Sequence, residues 1–213
     1  MLIGSLVKGF QPYYILHDMT FTLTSFIFIL ILAPLTGLAG GFFRRFFQWA
    51  EKNQTKSKSI LWQLPAIALM TGLVAYFFPE IMGNGRSLAQ FAINSQQMHL
   101  VVVLVCGALL KVIITVLTIR AGAAGGTLTP SIAVGSALGA VLVLLLNFFL
   151  PGVSVGQGAI LGAGTLLAAS QQAPFMAMFM LIEITHLNYS ALLPLALGII
   201  ISSAVSRKVL SKS

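Results

Sequence analysis

Long apolar runs, separated by short polar breaks, make up most of this chain. Four of them are long enough for helices that cross about 30 Å of hydrocarbon, at residues 21–49, 60–78, 100–119 and 131–150. Shorter segments, which do not span that distance comfortably, lie at residues 87–93, 158–169, 175–184 and 191–205. The runs are continuous rather than alternating, which favours helices over strands. The expected fold class is all-α, a polytopic membrane protein with broken and re-entrant helices.

Composition supports a membrane location and excludes several other classes of protein. Hydrophobic residues make up 58% of the chain and charged residues only 8%, whereas soluble domains carry about 25% charged residues. The single cysteine excludes an intrachain disulfide. No Ser/His/Asp arrangement, paired carboxylates or histidine cluster indicates an enzyme or a metal site, and no cofactor is expected. The net charge of +8 lies in loops and is interpreted as topology rather than nucleic-acid binding.

The basic residues are distributed unevenly between the two sides of the predicted spans. The loop at residues 50–59 and the C-terminus are expected on one side, where most basic residues lie. The loops expected on the other side contain only Arg86 among Lys and Arg. Because cytoplasmic loops carry an excess of Lys and Arg, that loop and the C-terminus are predicted to be cytoplasmic, in a bacterial inner membrane. The basic residues on this side are Arg44, Arg45, Lys52, Lys56, Lys58, Arg120, Arg207, Lys208 and Lys212.

A glycine-rich run at residues 122–130 interrupts two apolar segments. Its glycines permit tight turns and let the backbone approach a ligand, and Pro130 suits the first turn of a following helix. The N–H groups of Thr127 and Leu128 would then lie at the positive end of that helix and favour an anion. The alternative is a plain turn whose small residues pack against a neighbouring helix. The run alone supports both interpretations equally.

Several motifs, in order, resemble the chloride channel and chloride/proton antiporter (CLC) family. Residues 121–139 are similar to the family's G-x-F-x-P anion loop and the start of its helix N, and residues 162–174 to helix O and the break before helix P. Residues 78–85 resemble its K–L connection, and Glu183-x-Thr185 its E-x-T segment. The resemblance implies one half of an inverted-repeat fold, helices J to Q. Its expected divisions are residues 1–20, the end of a preceding helix with a loop; residues 21–207, the second-half transmembrane domain; and residues 208–213, a cytoplasmic tail.

The resemblance also implies an anion site. In the family, backbone N–H groups of the x and F positions contact the central anion, and here these positions are Thr127 and Leu128. Leu128 replaces the family's Phe. Because the anion contact is made by the backbone N–H, binding is expected to persist, while the anion preference is left open. The supporting loop residues are Gly125, Gly126, Thr129 and Pro130. The family's first-half motifs, which include the gating glutamate, and its helix R tyrosine do not occur in this sequence.

Two charged residues fall inside apolar segments and are weighed separately. Glu183 lies near the end of its segment, where a hydrogen-bonded structural role and a role in proton or ion movement are both considered. Lys111 lies about midway along its segment, where its charge either extends towards the interface or faces a polar cavity, and a structural role is favoured over a functional one.

The expected function is chloride transport, as the C-terminal half of a CLC-type voltage-gated channel or chloride/proton antiporter that is incomplete on its own. The expected partners are chloride or a similar anion, the lipid bilayer, and either a second copy through the C-terminal helices or a chain supplying the first half. The alternatives are a non-transporting remnant, a membrane interaction protein, or a transporter of another anion such as fluoride or nitrate.

Overall fold

The computed structural model describes residues 13–15, 22–147, 149, 152–187 and 189–211, so the expectations for residues 1–12 and 16–21 and for the last two residues of the tail lie outside it. The described residues contain eight α-helices, with short 3₁₀ helices at Pro79–Ile81 and Tyr189–Ala191. The α-helices are α1 (Leu23–Lys52), α2 (Ile60–Phe77), α3 (Arg86–Asn94), α4 (Leu100–Arg120), α5 (Leu128–Leu146), α6 (Val155–Gln171), α7 (Pro174–Thr185) and α8 (Leu192–Ser211).

The all-α membrane architecture predicted from the apolar runs is confirmed. In the described part of the chain, five helices are long and apolar enough to cross a membrane, namely α1, α2, α4, α5 and α8. The prediction that the last segment is too short was wrong, because α8 runs for 20 residues to Ser211. The division proposed at residue 207 stays a prediction, although the helix continues through it.

The start of α5 agrees with the expectation for the glycine-rich run. The helix begins at Leu128, three residues before the apolar run at residues 131–150, so Pro130 lies in its first turn and Thr127 is its N-cap. Proline fits there because the first N–H groups of a helix have no acceptor within it. The glycine-rich run therefore leads directly into a helix N-terminus.

The core is built around α6, which packs mainly against α5, α1 and α8. Fourteen of its 17 residues are buried. Small residues allow the closest approach, since a Cβ atom at Gly135 or Gly139 of α5 would collide with the backbone of α6 at Gly162 or Gly158. Such glycine contacts are typical of helices that associate inside a membrane.

Basic residues from distant parts of the sequence meet at one end of the helix bundle. The Thr55 N–H donates to the carbonyl oxygen of Arg120 at 2.9 Å, and the Arg120 guanidinium lies 5.1 Å from the centre of the Trp49 ring. A guanidinium N–H of Arg45 donates to the carbonyl oxygen of Val209. The loop after α1, the end of α4 and the end of α8 therefore share one side, as the charge pattern predicted.

A short segment near the N-terminus lies at the other end, against α3 and α7. The Tyr13 N–H donates to the Ile184 carbonyl oxygen at 2.8 Å, and Arg86 donates to the Tyr13 carbonyl oxygen at 2.9 Å. The Tyr14 side chain is only 1% exposed, and its hydroxyl has no hydrogen-bond partner among the described residues. Burial, with a smaller contribution from Tyr13, raises the pKa of the Tyr14 hydroxyl.

Helix α2 differs from the other long helices in how little of it is covered. Of its 18 residues, only Ala75 is buried. The side chains of Trp62 and Tyr76 are 83% and 82% exposed. An apolar helix with so little intrachain packing requires lipid or another polypeptide around it.

Candidate functional site

The loop between α4 and α5 contains two kinds of glycine. Gly122 has φ +105° and is packed, since a Cβ atom there would meet Ile60 and Thr55 at 3.1 Å. A Cβ atom at Gly125 or Gly126 would meet nothing within 4 Å. The interpretation of the run as small residues packed against a neighbouring helix therefore fits Gly122 but not the two glycines that directly precede α5.

The open side of these glycines faces a large cavity. Its volume is about 1020 Å³, and its wall includes both glycines together with the first turn of α5 at Leu128, Thr129 and Pro130. The opposite walls come from α2, α4 and the loop at residues 82–84. The cavity therefore has the N-terminus of a largely buried helix at its edge, next to backbone without side chains.

Backbone donors are available at this helix terminus. Thr127 is the N-cap residue of α5, with φ −97° and ψ −4°, and no side chain caps the helix. The first N–H groups of a helix have no acceptor within it, and they carry the positive end of its dipole. Such a terminus attracts anions, more strongly where the dielectric constant is low.

A chain of hydrogen bonds attaches the loop to the core. The Gln171 side-chain amide donates to the Thr127 hydroxyl at 3.0 Å, and the Ser131 hydroxyl donates to the Thr127 carbonyl oxygen at 2.7 Å. The Ser170 hydroxyl donates to the Ser131 hydroxyl at 2.9 Å, and Arg44 donates to the Ser170 carbonyl oxygen at 2.8 Å. We call Arg44, Thr127, Ser131, Ser170 and Gln171 the loop anchor.

A second, smaller cavity lies on the other side of the loop. Its volume is about 210 Å³, and its wall includes Thr127 together with four side chains that carry charge or an amide, Arg44, Gln48, Glu51 and Gln171. Thr127 is thus the residue of the loop that borders this cavity, while its neighbours border the large one. The loop forms part of a partition between an apolar cavity and a polar one.

The sequence did not reveal the loop anchor. The polar break at residues 170–174 was recognised, but Ser170 and Arg44 are 126 positions apart and meet only through the packing of α1 against α6. No periodic pattern signals that pairing. The only available signal was an arginine inside the apolar part of a long helix, which needs acceptors when it is partly buried.

Lys111 lines the large, mainly apolar cavity rather than the small polar one. The residue is 3% exposed. Its ammonium group donates to the carbonyl oxygens of Ile81 at 2.9 Å and Gly83 at 2.5 Å. The lysine therefore joins the middle of α4 to the loop that closes one end of the cavity.

Glu183 lies apart from this site. Its side chain is exposed on α7, and it is not among the described residues that line the two cavities. The structure thus places Thr127, Leu128 and the four supporting loop residues together and leaves Glu183 elsewhere. Neither predicted role of Glu183 is decided by this position.

Comparison with known proteins establishes the family. The family model described as voltage gated chloride channel matches residues 1–207. The chain belongs to that family. This agrees with the resemblance noted in the anion loop and the later motifs, and the five apolar helices together with the family show an integral membrane protein.

Relatives in sequence carry chloride-channel names. The voltage-gated ClC-type chloride channel ClcB of Salmonella typhimurium is 30% identical over 187 residues, which cover 83% of this chain and 43% of that protein. A putative chloride channel protein, ClcB-like, of Ralstonia nicotianae is 37% identical over 137 residues, 62% of this chain and 30% of that protein. The chain spans about half the length, or less, of these relatives.

Solved structures show the same fold. A slow cyanobacterial Cl⁻/H⁺ antiporter superimposes with a TM-score of 0.79 at 24% identity, covering 97% of this chain and 49% of the antiporter chain. A CLC-type fluoride/proton antiporter gives a TM-score of 0.70 at 22% identity, covering 99% and 50%. At these identities the likeness concerns the fold alone.

Proposed function

We propose that this chain forms the second half of an anion transporter, and that the backbone N–H groups of Thr127 and Leu128 bind a chloride-like anion. The observation that carries this proposal is the N-terminus of α5: Leu128 borders the cavity of about 1020 Å³, Thr127 borders the one of about 210 Å³, and a Cβ atom at either preceding glycine would meet nothing within 4 Å. The chloride-channel names of the sequence relatives support transport of an anion.

The chemistry of the loop suits a small anion without a fixed side-chain ligand. Donors at a helix terminus are preorganised, and they gain strength where water is largely excluded. Leu128 contributes its backbone N–H, so the replacement of the family's Phe leaves that contact intact. Gly125, Gly126, Thr129 and Pro130 shape the approach to the anion, since the glycines leave it open and the proline starts the helix.

The remaining wall of the site is assigned to another polypeptide segment. The chain spans about half of its relatives, and α2, at the edge of the large cavity, has little packing within the chain. We propose that a segment corresponding to the other half of these relatives covers this side; a second copy, packed through α7 and α8, is the alternative partner. The basic end of the bundle is proposed to be cytoplasmic in a bacterial inner membrane.

Anion binding to the purified chain in detergent tests the site. Titration calorimetry with chloride, and with fluoride and nitrate as competitors, is expected to show saturable binding by the unmodified chain. Thr127→Pro removes one N–H donor and is expected to weaken binding at least about tenfold, because a hydrogen bond to a charged group contributes about 1.5–3 kcal/mol. Leu128→Ala keeps the backbone N–H and is expected to bind within about threefold of the unmodified chain.

Flux measurements separate transport from binding. Liposomes containing this chain alone and liposomes containing it with a separately expressed first half are compared with protein-free vesicles. Chloride efflux that requires both chains supports the proposed half-transporter. Binding without efflux in either preparation favours a non-transporting interaction protein, and the absence of both binding and efflux overturns the proposed site.

A further inference from the structure

Lys111 is a buried cation without a counter-ion in the part of the chain that the structure describes. It is 3% exposed, and both of its hydrogen bonds go to neutral acceptors, the carbonyl oxygens of Ile81 and Gly83. An ammonium group has three donors and carries a full charge. Burying such a charge without an ionised partner costs several kcal/mol, so its presence beside the cavity requires an explanation.

The charge lies close to the proposed anion loop. Lys111 shares the large cavity with Gly125, Gly126 and the first turn of α5. Both lie near Gly85, because a Cβ atom there would be 3.3 Å from the Lys111 Cε atom and 3.5 Å from the Thr129 carbonyl oxygen. The lysine stem and the start of α5 are therefore close to each other.

A purely structural role explains the hydrogen bonds but not the charge. The carbonyl oxygens of Ile81 and Gly83 need donors, and a neutral amide would supply them without the desolvation cost of an ammonium group. The hydroxyls of Thr115 and Thr118, which also line the cavity, donate to the helix carbonyl oxygens of Lys111 and Ile114. These hydroxyls offer no negative charge to balance the lysine.

We propose that Lys111 is an electrostatic determinant of anion affinity, whose charge is balanced by the anion that enters the large cavity. This inference rests on the proposed anion site at Thr127 and Leu128. The Lys111 ammonium group acts on the anion across the cavity and does not contact the N–H groups of Thr127 and Leu128.

Three substitutions separate the charge from the hydrogen bonds. Lys111→Gln keeps amide donors but removes the charge, Lys111→Arg keeps both, and Lys111→Met removes both. Lys58→Gln removes a lysine charge from the exposed loop after α1 and serves as the matched control. Chloride affinity is measured by titration calorimetry on the full chain, and the thermal unfolding midpoint of each variant is measured in the same detergent.

The proposal expects Lys111→Gln to weaken chloride binding at least about tenfold, while Lys111→Arg and Lys58→Gln stay within about threefold. If Lys111→Gln and Lys111→Arg both keep the unmodified affinity and only Lys111→Met loses affinity along with stability, the residue is structural and the proposal is overturned. If the unmodified chain binds chloride and all three Lys111 variants bind it equally well, the proposal is overturned as well, but the anion site at the loop is not. No chloride binding by the unmodified chain overturns the loop site, and this inference with it.

Discussion

Gly139 on α5 lies so close to the carbonyl group of Gly158 on α6 that no methyl group fits between them. The contact continues one turn away, where Gly135 meets Gly162 in the same manner. Because α6 carries Ser170 and Gln171 of the loop anchor, the glycine contact sets the distance between the anion loop and the residues that hold it.

Replacement of Gly139 by alanine is expected to destabilise the protein. The added methyl group would overlap backbone rather than a flexible side chain, so the two helices must separate; overpacking of this kind costs about 1–3 kcal/mol. The expected result is a lower unfolding midpoint in a thermal scan in detergent.

Gly72→Ala is the matched control for this prediction. Gly72 lies within α2, and a Cβ atom there would meet nothing within 4 Å. Alanine favours a helix interior over glycine by about 1 kcal/mol, so this variant should be as stable as the unmodified chain or more so. Equal effects of the two substitutions would contradict the importance of the α5–α6 contact.

Gln171→Leu is expected to weaken anion binding through the position of the loop. The substitution removes the donor that holds the Thr127 hydroxyl. A hydrogen bond contributes about 0.5–1.5 kcal/mol net, so a two- to tenfold loss of chloride affinity is expected in titration calorimetry.

The next residue provides the comparison for Gln171. The Gln172 amide donates to the Ala169 carbonyl oxygen at 2.7 Å and to the Ser206 hydroxyl at 3.0 Å, both away from the loop. Gln172→Leu should lower the thermal unfolding midpoint about as much as Gln171→Leu does, but it should leave chloride affinity unchanged. An equal loss of affinity in both variants would show that the effect is general rather than local to Thr127.

Tyr14→Phe is expected to change the pH dependence of stability. Because burial raises the pKa of the Tyr14 hydroxyl, the unfolded chain loses this proton from about pH 10 while the folded chain still holds it. The unfolded state then binds fewer protons, so the free energy of unfolding falls as pH rises above about 10. The phenylalanine variant lacks this contribution and should lose less stability between about pH 9 and 11, on either side of the ordinary tyrosine pKa of about 10 in the unfolded chain.

The same substitution makes a second prediction at neutral pH. The Tyr14 hydroxyl is buried without a partner among the described residues, so its removal relieves a desolvation cost. Tyr14→Phe should therefore unfold at an equal or higher temperature. Tyr13→Phe leaves Tyr14 in place and should keep the alkaline loss of stability; parallel pH curves for the unmodified chain and Tyr14→Phe would refute the assignment to Tyr14.

Cysteine labelling tests the proposed orientation in the membrane. Both substitutions are made in a Cys106→Ser background. Ser57→Cys lies in the loop at the basic end of the bundle, and Gln97→Cys lies just before the first residue of α4, at the opposite end. In intact bacterial cells whose outer membrane is permeabilised, a membrane-impermeant maleimide should label residue 97 and should reach residue 57 only after lysis. The opposite result would invert the orientation that the positive charges predict.

Features carried by local pattern were predictable from the sequence, and features created by packing were not. Continuous apolar runs determine where α1, α2 and α4 lie, because a helix satisfies its backbone hydrogen bonds within one such run inside a bilayer. Hydrophobicity alone places the start of α5 too late, because Thr129, Pro130 and Ser131 of its first turn are not part of the apolar run. The partners of Lys111 and Arg44 lie 28 to 126 positions away and depend on the assembled fold.

The burial of α6 has a consequence for how the protein responds to its membrane. With 17 residues, the helix is about 25 Å long, shorter than a typical hydrocarbon layer. Since α6 is surrounded by protein rather than by acyl chains, it avoids the mismatch that a lipid-facing helix of this length would suffer. A thicker or thinner bilayer would act first on the helices that contact lipid, and the shape of the anion loop should be insensitive to lipid chain length.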